Sequence, residues 1–492
     1  MSGDPGRRTI SDASCLTAGP YAFHRHSMCH RRLRACALAA VLLWPALAAA
    51  IDLLPRRVRS DGTWLRDRAG RVVLLRGMDY SGLEFGNFPG APHGPEEADF
   101  AQMASWGVNV IRLPIAWNYL EPSPGMFDRH YLRDAVDPVV RWARRHDIAV
   151  VLEFHQFQWS PCTGGNGVPE WTCAGKGYSR DFSGGLQAEH DFWAGALAPD
   201  GRTLVDHLLA AWHLVTRHYR NGNMVGFDLL NEPLDVSDTT GFEHDTLYPF
   251  YRRAIETIRG ARARQVVFLE PPVIRNLGAR AHPEPVGDTN LVYAPHLYTT
   301  TFGLPDLKYT GDRAAVTADY TQAVAEASEQ GAVLWVGEYG GNTSAGGGFL
   351  AATEAFLADS LAEQEARRIG SAFWAYFPSD NTFSLVDANR AEKGRLVDIF
   401  TRAYPMMTAG IPQATAWDPD AHTFDITFSE NPAGDVHDPT IVFIPATRHY
   451  PGGFVVDTSP GVMATFDASR SVLVVRRDPS ELLHEVHVRP AP

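Results

Sequence analysis

The feature that most limits what this chain can become is a beat of short, apolar, β-branched runs separated by longer amphipathic stretches. The runs are Val72-Val73-Leu74-Leu75, Val108-Asn109-Val110-Ile111, Ile148-Ala149-Val150-Val151-Leu152, Met224-Val225-Gly226-Phe227, Val266-Val267-Phe268-Leu269, Leu291-Val292-Tyr293-Ala294, Ala332-Val333-Leu334-Trp335 and Ser371-Ala372-Phe373-Trp374. Runs of this kind read as strands buried on both faces. Between them, segments such as Thr203 to Arg220 place Leu204, Leu208, Ala211, Trp212, Val215 and Tyr219 at helical spacing. Eight alternations, with no Gly-rich phosphate loop after the first run, predict an α/β chain folded as a (β/α)8 TIM barrel rather than an open doubly wound sheet.

After Tyr404-Pro405 the pattern changes to short alternating strands, Thr423 to Phe428, Thr440 to Ile444 and Ser471 to Val475, broken by Pro451-Gly452-Gly453. Only Ser480 to Leu483 offers a helix-like interruption. The expected division is a leader over 1–50, a catalytic barrel over 51–405, and a C-terminal antiparallel β-sandwich over 406–492.

The leader expectation rests on the basic stretch Arg25 to Arg34, the apolar run through Leu42-Leu43-Trp44, and the small-residue end at Ala48-Ala49-Ala50, the pattern of a secretory signal. Cleavage after Ala48 or Ala50 fits, Met28 offers a second start, and an uncleaved anchor is the alternative. The reading is a secreted or periplasmic protein. Cys15, Cys29 and Cys36 fall in this leader, which leaves Cys162 and Cys173, and one surviving pair in an oxidising compartment predicts a disulfide.

The formal charge is −13, and six arginines against two aspartates in residues 1–50 leave −17 for the remainder. Nucleic acid is thereby excluded as a partner, and a neutral substrate is expected.

Two runs end in glutamate: Phe227-Asp228-Leu229-Leu230-Asn231-Glu232-Pro233 and Val333-Leu334-Trp335-Val336-Gly337-Glu338-Tyr339-Gly340. Active sites of such barrels lie at the C-terminal ends of the strands, so two carboxyl groups delivered there point to glycosidic bond cleavage. One acid must protonate the leaving oxygen and one carboxylate must attack the anomeric carbon. Glu232 is assigned as acid/base and Glu338 as nucleophile. Other strand ends supply Arg112 and Tyr298 to hold Glu338 ionised and Asn231 for the sugar 2-hydroxyl. His155 and His296 would orient sugar hydroxyls or Glu232, and Trp374 would form a floor under the ring. Glu270, before Pro271-Pro272, competes for a direct role, and Glu153 reads as an internal partner of His155. No metal ligand set of suitable spacing accompanies the histidines, and no cofactor is expected.

Arg112, His155, Asn231-Glu232-Pro233, His296-x-Tyr298, Glu338 and Trp374, in this order, resemble the set shared by glycoside hydrolase family 5, the cellulase-like retaining hydrolases. Within it, Glu153-Phe154-His155-Gln156 followed by Gly165 to Trp171 resembles the endoglycoceramidases. The stretches Thr440 to Pro445 and His449 to Gly453 are similar to their β-sandwich. The resemblance implies a monomeric hydrolase that cuts between glycan and ceramide, with a glycolipid substrate and transient contact with a membrane or micelle surface.

Two departures touch the glycan side. Phe157 stands where these enzymes tend to carry an aspartate, and Glu84 lies where a lysine is usual, which implies a short glycan, even one glucose or galactose. The family's asparagine after strand one is Asp79, expected to meet a sugar hydroxyl as an acceptor. Phe157, Trp159, Trp171, Phe182, Phe192 and Trp193, with Phe302, Leu304 and Leu307, either line a lipid groove or pack long loops. Alternatives are a steryl glucosidase, a β-glucanase, or a barrel that binds carbohydrate or lipid without cutting it.

Overall fold

The computed structural model describes residues 52–237, 241–298, 308–379, 382–431, 434 and 436–492. The leader over 1–50 and Phe302, Leu304 and Leu307 lie outside the described residues.

Eight parallel strands close into a barrel in the order seven, eight, one, two, three, four, five, six. They are Arg76–Tyr80, Val110–Ile115, Ala149–Phe154, Met224–Asp228, Val266–Leu269, Leu291–Tyr293, Val333–Tyr339 and Gly370–Tyr376. Seven of the eight apolar runs supply these strands. The exception is Val72–Val73, which pairs antiparallel with Tyr404–Thr408 in a separate sheet, so the first barrel strand is the less apolar Arg76–Tyr80 beside it. An apolar run satisfies either sheet equally well; the sequence pattern carries no information on which one it joins.

The helix Leu204–Tyr219 shows how local signals and packing agree. Thr203 caps it, its hydroxyl accepting from the Asp206 N–H at 3.1 Å. Its apolar stripe is buried, and Trp212 donates to the Leu229 carbonyl at 2.9 Å, pinning the end of strand four just before Asn231-Glu232.

Two antiparallel sheets make the C-terminal unit. One contains Ile411–Asp418, Thr423–Ser429, Leu483–Pro490 and Phe454–Thr458; the other joins Tyr404–Thr408, Thr440–Phe443, Val472–Arg477 and Val462–Asp467 to three short strands from Arg59 to Val73. The sandwich therefore borrows the chain segment that precedes the barrel. Leu483, placed at the end of a helix-like stretch by its sequence, opens a strand paired with Ser429. His449 sits at the junction with the barrel, its ring bonded to the Thr401 carbonyl at 2.7 Å.

Candidate active site

The C-terminal strand ends converge on Arg112, whose side chain is wholly buried. Its five N–H groups meet five acceptors: Asp228 at 2.9 Å, Asp79 at 3.0 Å, Glu338 at 2.8 Å, Asn231 at 3.0 Å and Glu270 at 2.7 Å. The guanidinium fork thus fixes the nucleophile candidate and the Asn-Glu turn relative to one another.

Glu338 accepts from Arg112 through Oε1 and from the Tyr298 hydroxyl at 3.0 Å through Oε2. Glu232 has φ 48°, the left-handed region that a side chain rarely occupies. Its N–H donates to Glu270 Oε2 at 2.8 Å, which holds that turn. Its Oε1 lies 2.9 Å from His296 Nδ1 and 2.5 Å from Asn276 Nδ2. Gly337 leaves room for the imidazole, since a Cβ there would stand 3.0 Å from the ring.

Asn231 spends one amide N–H on the Gln156 carbonyl at 3.0 Å, and Gln156 returns a bond to the Asn231 carbonyl at 3.0 Å. Its second N–H meets no acceptor among the described residues and remains for a ligand hydroxyl. His155 is bonded to Glu153 at 3.2 Å and stacked on Trp374 with ring centroids 5.4 Å apart, so it braces the Trp374 ring and does not touch Glu232. Gly167, at φ 98°, lets the following loop pass over the His155 carbonyl, where a Cβ would come within 2.0 Å.

Six carboxyl groups surround Arg112 and His296, and two cations cannot balance six anions in a dry core. The imbalance is met by protons. Asp79 Oδ2, Glu153 Oε1 and Asp228 Oδ1 are buried without a partner among the described residues. Burial pushes all three carboxyls well above the usual range despite Arg112. Asp79 is therefore a buried carboxyl whose charged form is disfavoured and which accepts from Arg112, where the sequence alone pointed to an acceptor facing the sugar. Glu270 goes the other way. Burial opposes its charge, but His296 and Arg112 hold its carboxyl below the ordinary value. Burial also opposes charge on His296, and Glu270, Glu338 and the bond to Glu232 outweigh it, pushing the imidazole well above its ordinary range.

Ligand atoms of Glu232, His296 and Glu338 all lie within 4.8 Å of one another, the one such acidic or histidine trio among the described residues.

Around this centre, Cys162 and Cys173 are bonded, joining the turns Pro161–Thr163 and Glu170–Cys173. The loop aromatics divide between the two readings. Trp159 and Phe192 are core residues packed on one another, while Phe157 and Phe182 are 47% and 57% exposed. Glu84 is buried, accepting from Ser81 and from the Gly82 N–H at 2.7 Å. Sequence reasoning missed Asn276 and Asp228. An ionisable residue inside the strand Met224–Asp228 was a signal for the second; nothing local marked the first.

A closed parallel barrel with two carboxyl groups facing each other at its C-terminal rim, held by arginine, tyrosine and histidine, defines a carbohydrate-cleaving hydrolase. Residues 67–380 match cellulase (glycosyl hydrolase family 5), and residues 402–489 match the glycoside hydrolase family 5 C-terminal domain. The chain belongs to glycosyl hydrolase family 5, and it is a glycoside hydrolase acting on O-glycosyl bonds. It is 27% identical over 446 residues to endoglycoceramidase I of Rhodococcus hoagii, covering 85% of each chain. Among solved structures it is similar to endo-glycoceramidase II from Rhodococcus sp., described as a lactosyl-enzyme intermediate, with TM-score 0.74, 25% identity, and 87% of this chain and 100% of that chain covered. It is also similar to an endogalactoceramidase, with TM-score 0.71, 25% identity, and 89% and 100% covered.

Proposed function

We propose that the protein is a retaining β-glycosidase that releases a short glycan, down to one glucose or galactose, from ceramide. The observation that carries this reading is that one oxygen of each carboxyl group lies within 4.8 Å of the other beside His296, an approach that suits the shorter carboxyl separation of retaining enzymes. Glu338 attacks the anomeric carbon while Glu232 protonates the leaving oxygen; Glu232 then deprotonates the water that releases the glycosyl-enzyme. The free N–H of Asn231 is placed for the sugar 2-hydroxyl, and Trp374 for the apolar face of the ring.

The lipid side of the reading draws support from the relatives' names and from the distribution of apolar side chains. Of the eleven exposed large apolar side chains among the described residues, seven, Phe85, Met126, Phe157, Phe182, Leu197, Val236 and Leu277, sit on the segments that connect a barrel strand to its following helix, and Val324, Met463, Leu482 and Leu483 lie elsewhere. Such a rim suits a lipid surface. Phe157 and Glu84 leave the glycan side without the polar grips of a longer sugar chain. Export rests on the leader pattern alone. Glu338→Gln should lower kcat by at least about 1,000-fold on every glycoside tested. A panel of fluorescent glycosylceramides with one, two and four sugars should be cut best at one sugar. Survival of activity in the variant sinks the site assignment, and faster release from cellobiose or a steryl glucoside than from glucosylceramide sinks the lipid assignment.

A further inference from the structure

Asn276 enters the site from outside the strand-end motifs. It lies on the turn Val273–Leu277 after strand five and is 3% exposed. Three bonds fix this turn. Its first residue, Val273, donates to the Pro233 carbonyl at 3.0 Å, immediately after the acid/base glutamate. The wholly buried Arg275 ties it to Glu326 at 2.7 Å and Asp319 at 2.6 Å, both on the helix Arg313–Gln330. The amide of Asn276 is thereby delivered to one oxygen of Glu232 at 2.5 Å.

His296 Nδ1 reaches the same oxygen at 2.9 Å. Two donors converge on Oε1, whereas Oε2 makes no hydrogen bond among the described residues, and the side chain is 15% exposed. An oxygen that accepts two N–H bonds has no lone pair geometry left for a proton of its own.

We propose that Asn276 is a positioning residue for the general acid: with His296 it saturates Glu232 Oε1, so that the catalytic proton is carried on Oε2, the oxygen open to the cleft. The inference rests on the reading of Glu232 as acid/base. In the glycosylation step the Oε2–H bond breaks as the proton passes to the glycosidic oxygen. The bond from that oxygen to the anomeric carbon breaks, a bond from Glu338 to that carbon forms, and Glu232 is left as a carboxylate. In the second step the water oxygen bonds to the anomeric carbon, the bond from that carbon to Glu338 breaks and frees its carboxylate, and the water's proton passes to the same Oε2. Without Asn276 the carboxyl group can turn, and the proton is shared between an oxygen that faces the leaving group and one that does not.

The test compares kcat/KM, which reports glycosylation, on glucosylceramide and on 2,4-dinitrophenyl β-glucoside, whose leaving group needs no proton. Values are normalised to sites trapped by a 2-fluoro glycoside, so that misfolded protein does not count. Glu232→Gln should lose activity on the ceramide substrate and keep most of it on the dinitrophenyl one. Asn276→Ala should follow it in milder form, about 10- to 100-fold down on glucosylceramide and within about 3-fold on the dinitrophenyl glycoside. If Glu232→Gln shows no dependence on the leaving group, the acid/base assignment fails. If it does and Asn276→Ala loses both substrates equally, or neither, the positioning role is wrong.

Discussion

At the scale of single residues, the site is governed by how protons and charges are shared in a core that water does not reach. Arg112 satisfies all five of its donors, yet Asp228 and Asp79 leave one oxygen each buried without a partner, and that burial disfavours the charged form of both. Glu270 binds Arg112 and the Glu232 N–H with both oxygens and stays charged. Two chemically similar substitutions should therefore part company. Asp228→Asn replaces a neutral group by its neutral isostere and should leave kcat/KM within about 5-fold and stability within about 1 kcal/mol. Glu270→Gln removes a charge that balances Arg112 and His296 and loosens the left-handed turn at Glu232, and should cost about 100-fold in kcat/KM. Equal losses from the two, in kinetics and denaturant midpoints measured side by side, would refute the protonation pattern. Glu232, Glu338, Arg112 and Tyr298 were legible in the sequence because each sits where a recognisable run ends. Asn276 was not, because its reach to Glu232 depends on Arg275 anchoring a turn to a helix more than forty residues away.

At the scale of elements, the loop after strand four is clamped by the helix Phe182–Trp193. Glu189 accepts from the Leu234 N–H at 2.8 Å, Trp193 donates to the Leu234 carbonyl at 3.1 Å, and His190 lies 3.1 Å from Asp235. Burial pushes the Glu189 carboxyl up to about 8. The folded state thus binds this proton more tightly than the unfolded chain, where the group ionises near 4.5. Its contribution is intact below pH 4.5 and declines as pH rises from there to about 8. Glu189→Gln keeps the acceptor and removes the titration, so relative to the parent it should gain on the order of 2 kcal/mol between pH 5 and pH 8. Urea midpoints across that range check it; parallel pH curves for the two proteins would show that Glu189 does not titrate on unfolding. Elements were readable here in unequal measure. The helix from Thr203 announced itself by cap and stripe, whereas Val72–Val73 and Arg76–Tyr80 exchanged places, since a buried strand that carries arginine, glycine and aspartate for the site gives up its apolar signature.

At the scale of the molecule, the barrel divides its labour between two ends. Below, Tyr404 donates to the Gly107 carbonyl at 2.7 Å and the Arg76 guanidinium lies 5.3 Å from the centre of the Tyr404 ring, tying the barrel to the sandwich. Above, the strand-following loops carry exposed apolar side chains, Phe157 at 47% and Phe182 at 57% among them, on a chain whose net charge of −13 gives no electrostatic attraction to an anionic surface. The lipid contact proposed for this rim would then come from the apolar area itself, at about 25 cal/mol per Å² withdrawn from water. Replacing Phe157 and Phe182 together by serine should weaken partitioning onto neutral phosphatidylcholine vesicles. It should lower kcat/KM on glucosylceramide embedded in them by about 10-fold and cost a soluble aryl glucoside clearly less. High salt should not restore binding, which separates this mode from charge attraction. Equal turnover of embedded and soluble substrates by the double variant would place the lipid-contacting surface elsewhere on the molecule.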